Sequence, residues 1–85
     1  MHGMVGSNNI QTYIPHGVVE ILISEDCSLT RAWRKYLGIQ PHQLAAQLGI
    51  SYAAYIQHEK SHNLRKPTRN KIAKVLGIDS RQLGL

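Results

Sequence analysis

Residues 44–60 read LAAQLGISYAAYIQHEK, and the fold turns on how this stretch divides. Leu44, Ala45 and Leu48 share one helical face. Gly49 then interrupts, and a second periodic run begins after Ser51. Serine is a favoured N-cap because its hydroxyl accepts from a backbone N–H two or three residues on. Glycine directly after the last apolar residue is a usual stop, since it enters the left-handed region without a Cβ penalty. The spacing predicts two short helices joined by LGIS, the second running to about residue 59. An ordinary αα-corner and a helix-turn-helix both have this length and bend chemistry.

Outward from this pair, the punctuation stays regular. Ser28 caps a helix over 28–37, in which Leu29, Ala32, Trp33, Tyr36 and Leu37 form the apolar stripe and Gly38 the stop. Gln40 and Pro41 open the helix that ends at Gly49. A polar, basic loop, KSHNLRKP, runs to Pro67, where Thr68 caps a helix with Ile72, Val75 and Leu76 on its inner face, ended by Gly77. Asp79 caps a short last helix holding Leu83. Upstream, HGVVEILIS suits a strand or a helix, being rich in β-branched residues. Pro15 at a first turn and the Val18, Val19, Leu22, Ile23 stripe favour helix. Residues 1–12 are small, polar and aperiodic, so they form a flexible tail, and His2 is not a site. The expectation is an all-α fold divided into tail 1–12, N-terminal helix and interface segment 13–27, and five-helix domain 28–85.

Charge is divided unevenly. The first 30 residues hold Glu20, Glu25 and Asp26 and no Lys or Arg, a formal −3. From Arg31 onward ten basic residues face only Glu59 and Asp79, a formal +8. Such asymmetry suggests that the larger part meets a polyanion, although a solvated helical surface gives the same composition. No apolar run approaches the roughly 20 residues that span a bilayer. No secretory pattern opens the chain. The lone Cys27 allows no internal disulfide, so the expected place is the cytoplasm.

Several chemistries find no footing. His58 and His62 are i, i+4, but the helix should end near residue 60 and no third ligand completes a metal set. Cys27 has no paired base and reads as a structural thiol. Paired catalytic carboxylates, a phosphate-cradling glycine loop and a Ser/His/Asp set are missing. No enzyme and no cofactor is expected.

RAWRKYLGIQPHQLAAQLGISYAAYIQHEK together with KPTRNKIAKVLGIDSRQL resembles the Cro and phage-repressor (XRE-like) helix-turn-helix family over residues 29–83. The landmarks are Gly38, Leu44, Ala45, Leu48, Gly49, Ile50, Ser51, Glu59, Pro67, Ile72, Ala73, Leu76 and Gly77. The longer stretch YIPHGVVEILISEDCSLTRAWRKYLGI resembles a subgroup found as antitoxins of bacterial toxin–antitoxin operons. The resemblance implies a five-helix, lambda-repressor-like bundle with an extra N-terminal helix.

It also implies roles. The helix after Ser51 would lie in the major groove. Tyr52, Ala53, Ile56 and Gln57, taken as exposed, would meet bases; Gln57 matches adenine N6 and N7, while Ala53 and Ile56 suit a thymine methyl. Tyr55 would be core. Lys60, Arg65, Lys66 and Arg69 would grip phosphates, with Ser51, His42 and Gln43 beside them. Arg34 and Glu59 would form a partly buried ion pair. Two positions depart from the pattern. Pro41 stands where the family has a phosphate-binding Gln, and His58 where it buries Leu or Ile, so His58 reads as a neutral core histidine.

The implied function is a sequence-specific, dimeric transcriptional repressor on two-fold DNA, serving as antitoxin and autoregulator and nucleoid-associated when bound. The alternative is a protein-interaction module of the same fold with little DNA contact, which Pro41 and the few long polar side chains after Ser51 favour. Residues 13–26 combine an apolar run with acids, and the five-helix core needs none of their side chains to close. They are expected to face a small basic toxin or a second copy of the chain. Packing back on Trp33 and Tyr36 is the alternative.

Overall fold

The tripeptide Leu-Gly-Ile occurs at 37–39, 48–50 and 76–78, and each copy ends a helix. In the computed structural model, which describes residues 13–84, five α-helices precede one turn of 3-10 helix. They are α1 (His16–Glu25), α2 (Leu29–Leu37), α3 (Pro41–Leu48), α4 (Tyr52–Lys60) and α5 (Lys66–Leu76), followed by Ser80–Gln82. The described residues contain no strand. The tail, residues 1–12, lies outside the described residues.

The three stops share one geometry. At the α3–α4 turn Gly49 sits at φ 72°, its N–H donates to Ala46 O at 3.1 Å, and Ile50 N–H donates to Ala45 O at 3.1 Å. Gly38 and Gly77 repeat the pattern at φ 73° and 75°. This pairing satisfies carbonyls that the helix end leaves orphaned. Another residue at Gly49 would carry about 1–2 kcal/mol of left-handed strain. Each following isoleucine (Ile39, Ile50, Ile78) packs onto the core. The chain can therefore reverse three times while returning an apolar side chain inward at every bend.

Ten residues make the core: Val18, Ala32, Trp33, Leu44, Ala45, Tyr55, Ile72, Ala73, Leu76 and Leu83. α1 packs along α2, α3 against α4 and α5, and α2 against α4 and α5. Ala45 has only 3% of its surface exposed, so its small side chain suits a close approach of α3 to a neighbour. Trp33 Nε1 donates to Gln82 O at 2.9 Å, and the Gln82 amide donates to Tyr13 O, which joins the two ends of the described chain.

Four expectations are corrected by this packing. The segment 13–26 does close the core: Val18 is fully buried, and Ile14, Ile21 and Leu22 pack on the same cluster. The Tyr36 ring lies directly over Gly17, where a Cβ would meet Cε1 at 2.6 Å. On α2 the buried arc shifts, with Thr30 and Arg34 inside while Tyr36 and Leu37 are exposed, because α1 covers one flank and α4 another. The helix read from a cap at Thr68 begins earlier, with Arg65 as N-cap and Pro67 in the first turn, where its fixed φ is suited and its missing N–H costs nothing. The last helix is only the three-residue 3-10 turn. Asp79 caps it by accepting from Arg81 N–H at 2.8 Å, and Leu83 is buried directly after.

The burial pattern sets apart two neighbouring apolar residues of α1. Val18→Ala should lower unfolding free energy by about 2 kcal/mol through lost methyls and a cavity. Ile23→Ala, at a side chain 73% exposed, should change it by less than about 0.5 kcal/mol. Equal losses in urea titrations would mean that α1 does not seat on the core as described.

Candidate nucleic-acid interface

α4 has two faces of opposite character. Tyr55 and Glu59, one helical turn apart, are buried, and the Tyr55 hydroxyl ends on the Glu59 carboxylate. Tyr55 OH donates to Glu59 Oε2 at 2.6 Å. Arg34 Nε donates to the same oxygen at 2.6 Å, Arg34 Nη2 reaches Oε1 at 3.4 Å, and Arg31 Nη1 lies 3.5 Å from Oε1. Arg34 Nη1 goes on to donate to Ile39 O at 2.8 Å, in the turn before α3. Ser28 accepts from Arg31 N–H at 3.2 Å as the cap of α2, while its hydroxyl donates to the Glu59 carbonyl. One carboxylate and one hydroxyl thus join the end of α4 to both ends of α2 and, through Arg34, to the start of α3.

The electrostatics follow from burial. Removal from water pulls the Arg34 guanidinium down, but hydrogen bonding and attraction from Glu59 outweigh it, and its pKa is raised overall. Burial, reinforced by the bond to Glu59, pushes the Tyr55 hydroxyl far above the ordinary phenol range. At the surface a hydrogen bond from Lys35 holds the Glu25 carboxyl below its usual range despite opposing desolvation. Burial raises the Cys27 thiol, whose Sγ points to Ile21 O at 3.8 Å, as suits a structural thiol.

The other face of α4 is free of core duty. Ala53, Gln57 and Lys60 fall in one stripe at i, i+4, i+7, flanked by Tyr52, and all four are exposed. Ile56 does not join them. It is half-buried and packs on the core cluster, since one step of about 100° from Tyr55 leaves it on the flank of the buried face. Ser51 is exposed, and its hydroxyl oxygen caps α4 by accepting from Ala54 N–H at 3.1 Å, which leaves its O–H to donate. On α3, His42 and Gln43 are exposed. The Gln43 side-chain oxygen accepts from Gln40 N–H at 2.9 Å, which leaves its amide nitrogen for a ligand.

His58 is half-buried rather than core, beside a shallow cavity lined by Leu48, Ile50, Thr68, Lys71 and Ile72. A half-buried imidazole lining such a cavity keeps part of its ring in reach of water while its carbons cover apolar neighbours. The described residues contain no group of three His, Cys, Asp or Glu placed to hold a metal ion.

The cations separate into two sets. Arg31, Arg34, Lys35 and Arg81 all pair with carboxylates. Among the described residues Lys60, Arg65, Lys66, Arg69, Lys71 and Lys74 have no carboxylate partner, and they run consecutively from the end of α4 through α5. Lys60, Arg65 and Lys66 are exposed. Arg69 is half-buried, its guanidinium lying over Gly84. Lys71 and Lys74 are exposed additions to the sequence-based set. The charge count held their signal, because Asp79 is the sole acid after Glu59.

Comparisons with protein-family models, with characterised proteins and with solved structures return no match.

Two predictions rest on the Glu59 network. Arg34→Ala and Glu59→Ala should each destabilise by about 3–5 kcal/mol, because each strands a buried partner. The double variant should fall well short of the sum, and simple additivity in a double-mutant cycle would show the pair to be uncoupled. Tyr55, with its pKa raised in the fold, contributes stability that is complete below the unfolded value of about 10 and is lost as pH rises above it. Thermal midpoints should therefore decline above about pH 10, and Tyr55→Phe should flatten that decline. An unchanged alkaline slope in the variant would assign it to other groups.

Proposed function

We propose that α3, the Gly49 turn and α4 act as a helix-turn-helix in a sequence-specific DNA-binding repressor, with α4 in the major groove. The observation that carries this reading is the run of six unpaired cations directly following an α4 face that the core does not use. Burial of Tyr55 and Glu59 fixes the rotation of α4, so Ala53 and Gln57 stand outward with Tyr52 beside them. Exposed cations without intramolecular partners are free to displace counterions from phosphates, which supplies most sequence-independent affinity. Gln57 and its neighbours would then supply base reading, and His42, the Gln43 amide, Lys60, Arg65 and Lys66 the register. Arg69 would have to leave Gly84 to join them.

The repressor would bind two-fold DNA as a dimer. Its role as antitoxin and autoregulator of a toxin–antitoxin operon is supported by the sequence resemblance alone, as are a small basic toxin partner and a cytoplasmic, nucleoid-associated location. No helix among the described residues is long and apolar enough to cross a membrane.

Fluorescence anisotropy with duplexes from upstream of the gene, at a series of salt concentrations, tests the reading. Neutralising Lys60, Arg65 or Lys66 singly should weaken binding to every duplex alike and reduce the log–log salt slope by about one. Gln57→Ala should cost about 1–3 kcal/mol on the preferred site and little on random duplexes. Salt-independent binding, or none at low salt, would leave the protein-interaction module as the better reading.

A further inference from the structure

The exposed face of α4 has a chemistry narrower than its role requires. Residues 51–59, SYAAYIQHE, contain no Arg, Lys or Asn, and the first cation is Lys60 at the last residue of the helix. The commonest guanine reading, Arg or Lys bidentate to O6 and N7, is therefore unavailable along the part of α4 nearest its N-terminus. The Ser51 hydroxyl oxygen accepts from Ala54 N–H as the α4 cap, and the one carboxylate here, Glu59, which would pair with cytosine N4, is buried under Arg34 and Tyr55. On the exposed stripe and its flank, two kinds of reader match A·T pairs. Ala53 offers a methyl and Tyr52 a ring, both able to cover the thymine C5-methyl. Gln57, one turn on in the same stripe, offers a carboxamide whose oxygen and nitrogen complement adenine N6 and N7. Cβ atoms one turn apart are separated by about 5–6 Å. Stacked bases along a strand lie about 3.4 Å apart, so the two readers would meet adjacent or next-adjacent pairs.

On the reading of α4 as a major-groove helix, we infer that this face selects A·T pairs, through the thymine methyl and the adenine edge. The ligand class is thymine-containing duplex DNA, with G·C pairs and uracil-containing duplexes discriminated against. The selection is made in the major groove and does not depend on minor-groove width or duplex stiffness.

Four end-labelled duplexes of equal length separate these sources: alternating dA·dT, dA·dU, dG·dC and dI·dC. Inosine keeps the major-groove acceptors of guanine but lacks its minor-groove amino group, so dI·dC resembles G·C from one groove and A·T from the other. Titrations of the full chain at one salt concentration should give tightest binding to dA·dT. The dA·dU duplex should bind about fourfold more weakly for the missing methyl. The dG·dC and dI·dC duplexes should be alike and about tenfold weaker. Gln57→Ala, checked for retained helicity by circular dichroism, should level dA·dU with dI·dC, leave dA·dT ahead of both by the methyl alone, and leave the salt slope unchanged. If dI·dC followed dA·dT, the preference would lie in the minor groove or in deformability, and the inference would fall. Equal binding of dA·dU and dA·dT would overturn the methyl reading. Equal, salt-dependent binding of all four would overturn base selection yet leave DNA binding standing. Binding to none at low salt would end both.

Discussion

A single buried carboxylate fixes the orientation of α4. Glu59 has 4% of its side chain exposed, so its charge requires partners, and the chain supplies donors to both oxygens. Tyr55 and Arg34 Nε share Oε2, while Arg34 Nη2 and Arg31 stand at Oε1. Well-packed apolar residues in place of both Glu59 and Arg34 would be tolerated energetically, since buried pairs often add little net stability. What the pair provides is direction. A planar guanidinium and a carboxylate bond strongly in only a narrow range of orientations, so α4 cannot roll about its axis without breaking several charged bonds together. The rotation held in this way is the one that leaves Ala53 and Gln57 outside.

The network also extends outward as alternating charge. Arg34 meets Glu59, Glu59 meets Arg31, Arg31 meets Glu25, and Glu25 meets Lys35. Its inner end is shielded from solvent and its outer end is exposed, so the outer links contribute little individually. They bring the C-terminal end of α1 to α2 and α4, where α1 has already placed Val18 in the core. The acidic segment is therefore part of the same packed unit, and two of its links neutralise cations of α2.

Local chemistry made much of this legible. Gly38, Gly49 and Gly77 follow the last apolar residue of a periodic run, and glycine at that place has one dominant structural use, so α2, α3 and α5 end where the sequence puts their stops. Ser28 and Ser51 cap as their positions suggest. Features set by tertiary contact were harder. Arg34 and Glu59 are 25 residues apart, and no periodicity links them; only the family resemblance named the pair. Ile56 differs from an exposed residue by one step around α4, a distinction that depends on where α2 and α3 lie. At α5, Thr68 is a good cap by residue type, but Pro67 before it is a good first-turn residue, and the two signals conflict. For α1 the apolar residues are too dense to mark one face. The sequence showed an apolar segment without showing that Val18 points inward while Ile23 points out.

The separation of the cations bears most directly on function. Positive charge repels itself, so a chain with +8 after residue 30 gains stability by matching each cation to a carboxylate where it can. Four are matched, three of them on α2 beside the Glu59 network, and the other six follow one another from Lys60 to Lys74 without an acid among them. Folding alone gives no reason to leave such a run unneutralised, because single acids at exposed i, i+4 positions on α5 would be structurally harmless and mildly stabilising. A polyanion gives one. Acids there would lower affinity for any phosphate ligand through the same interactions that would stabilise the free helix. The two demands would conflict only on a surface that meets such a ligand, and on the proposed reading the six consecutive unpaired cations put that surface at the end of α4, the loop after it, and α5.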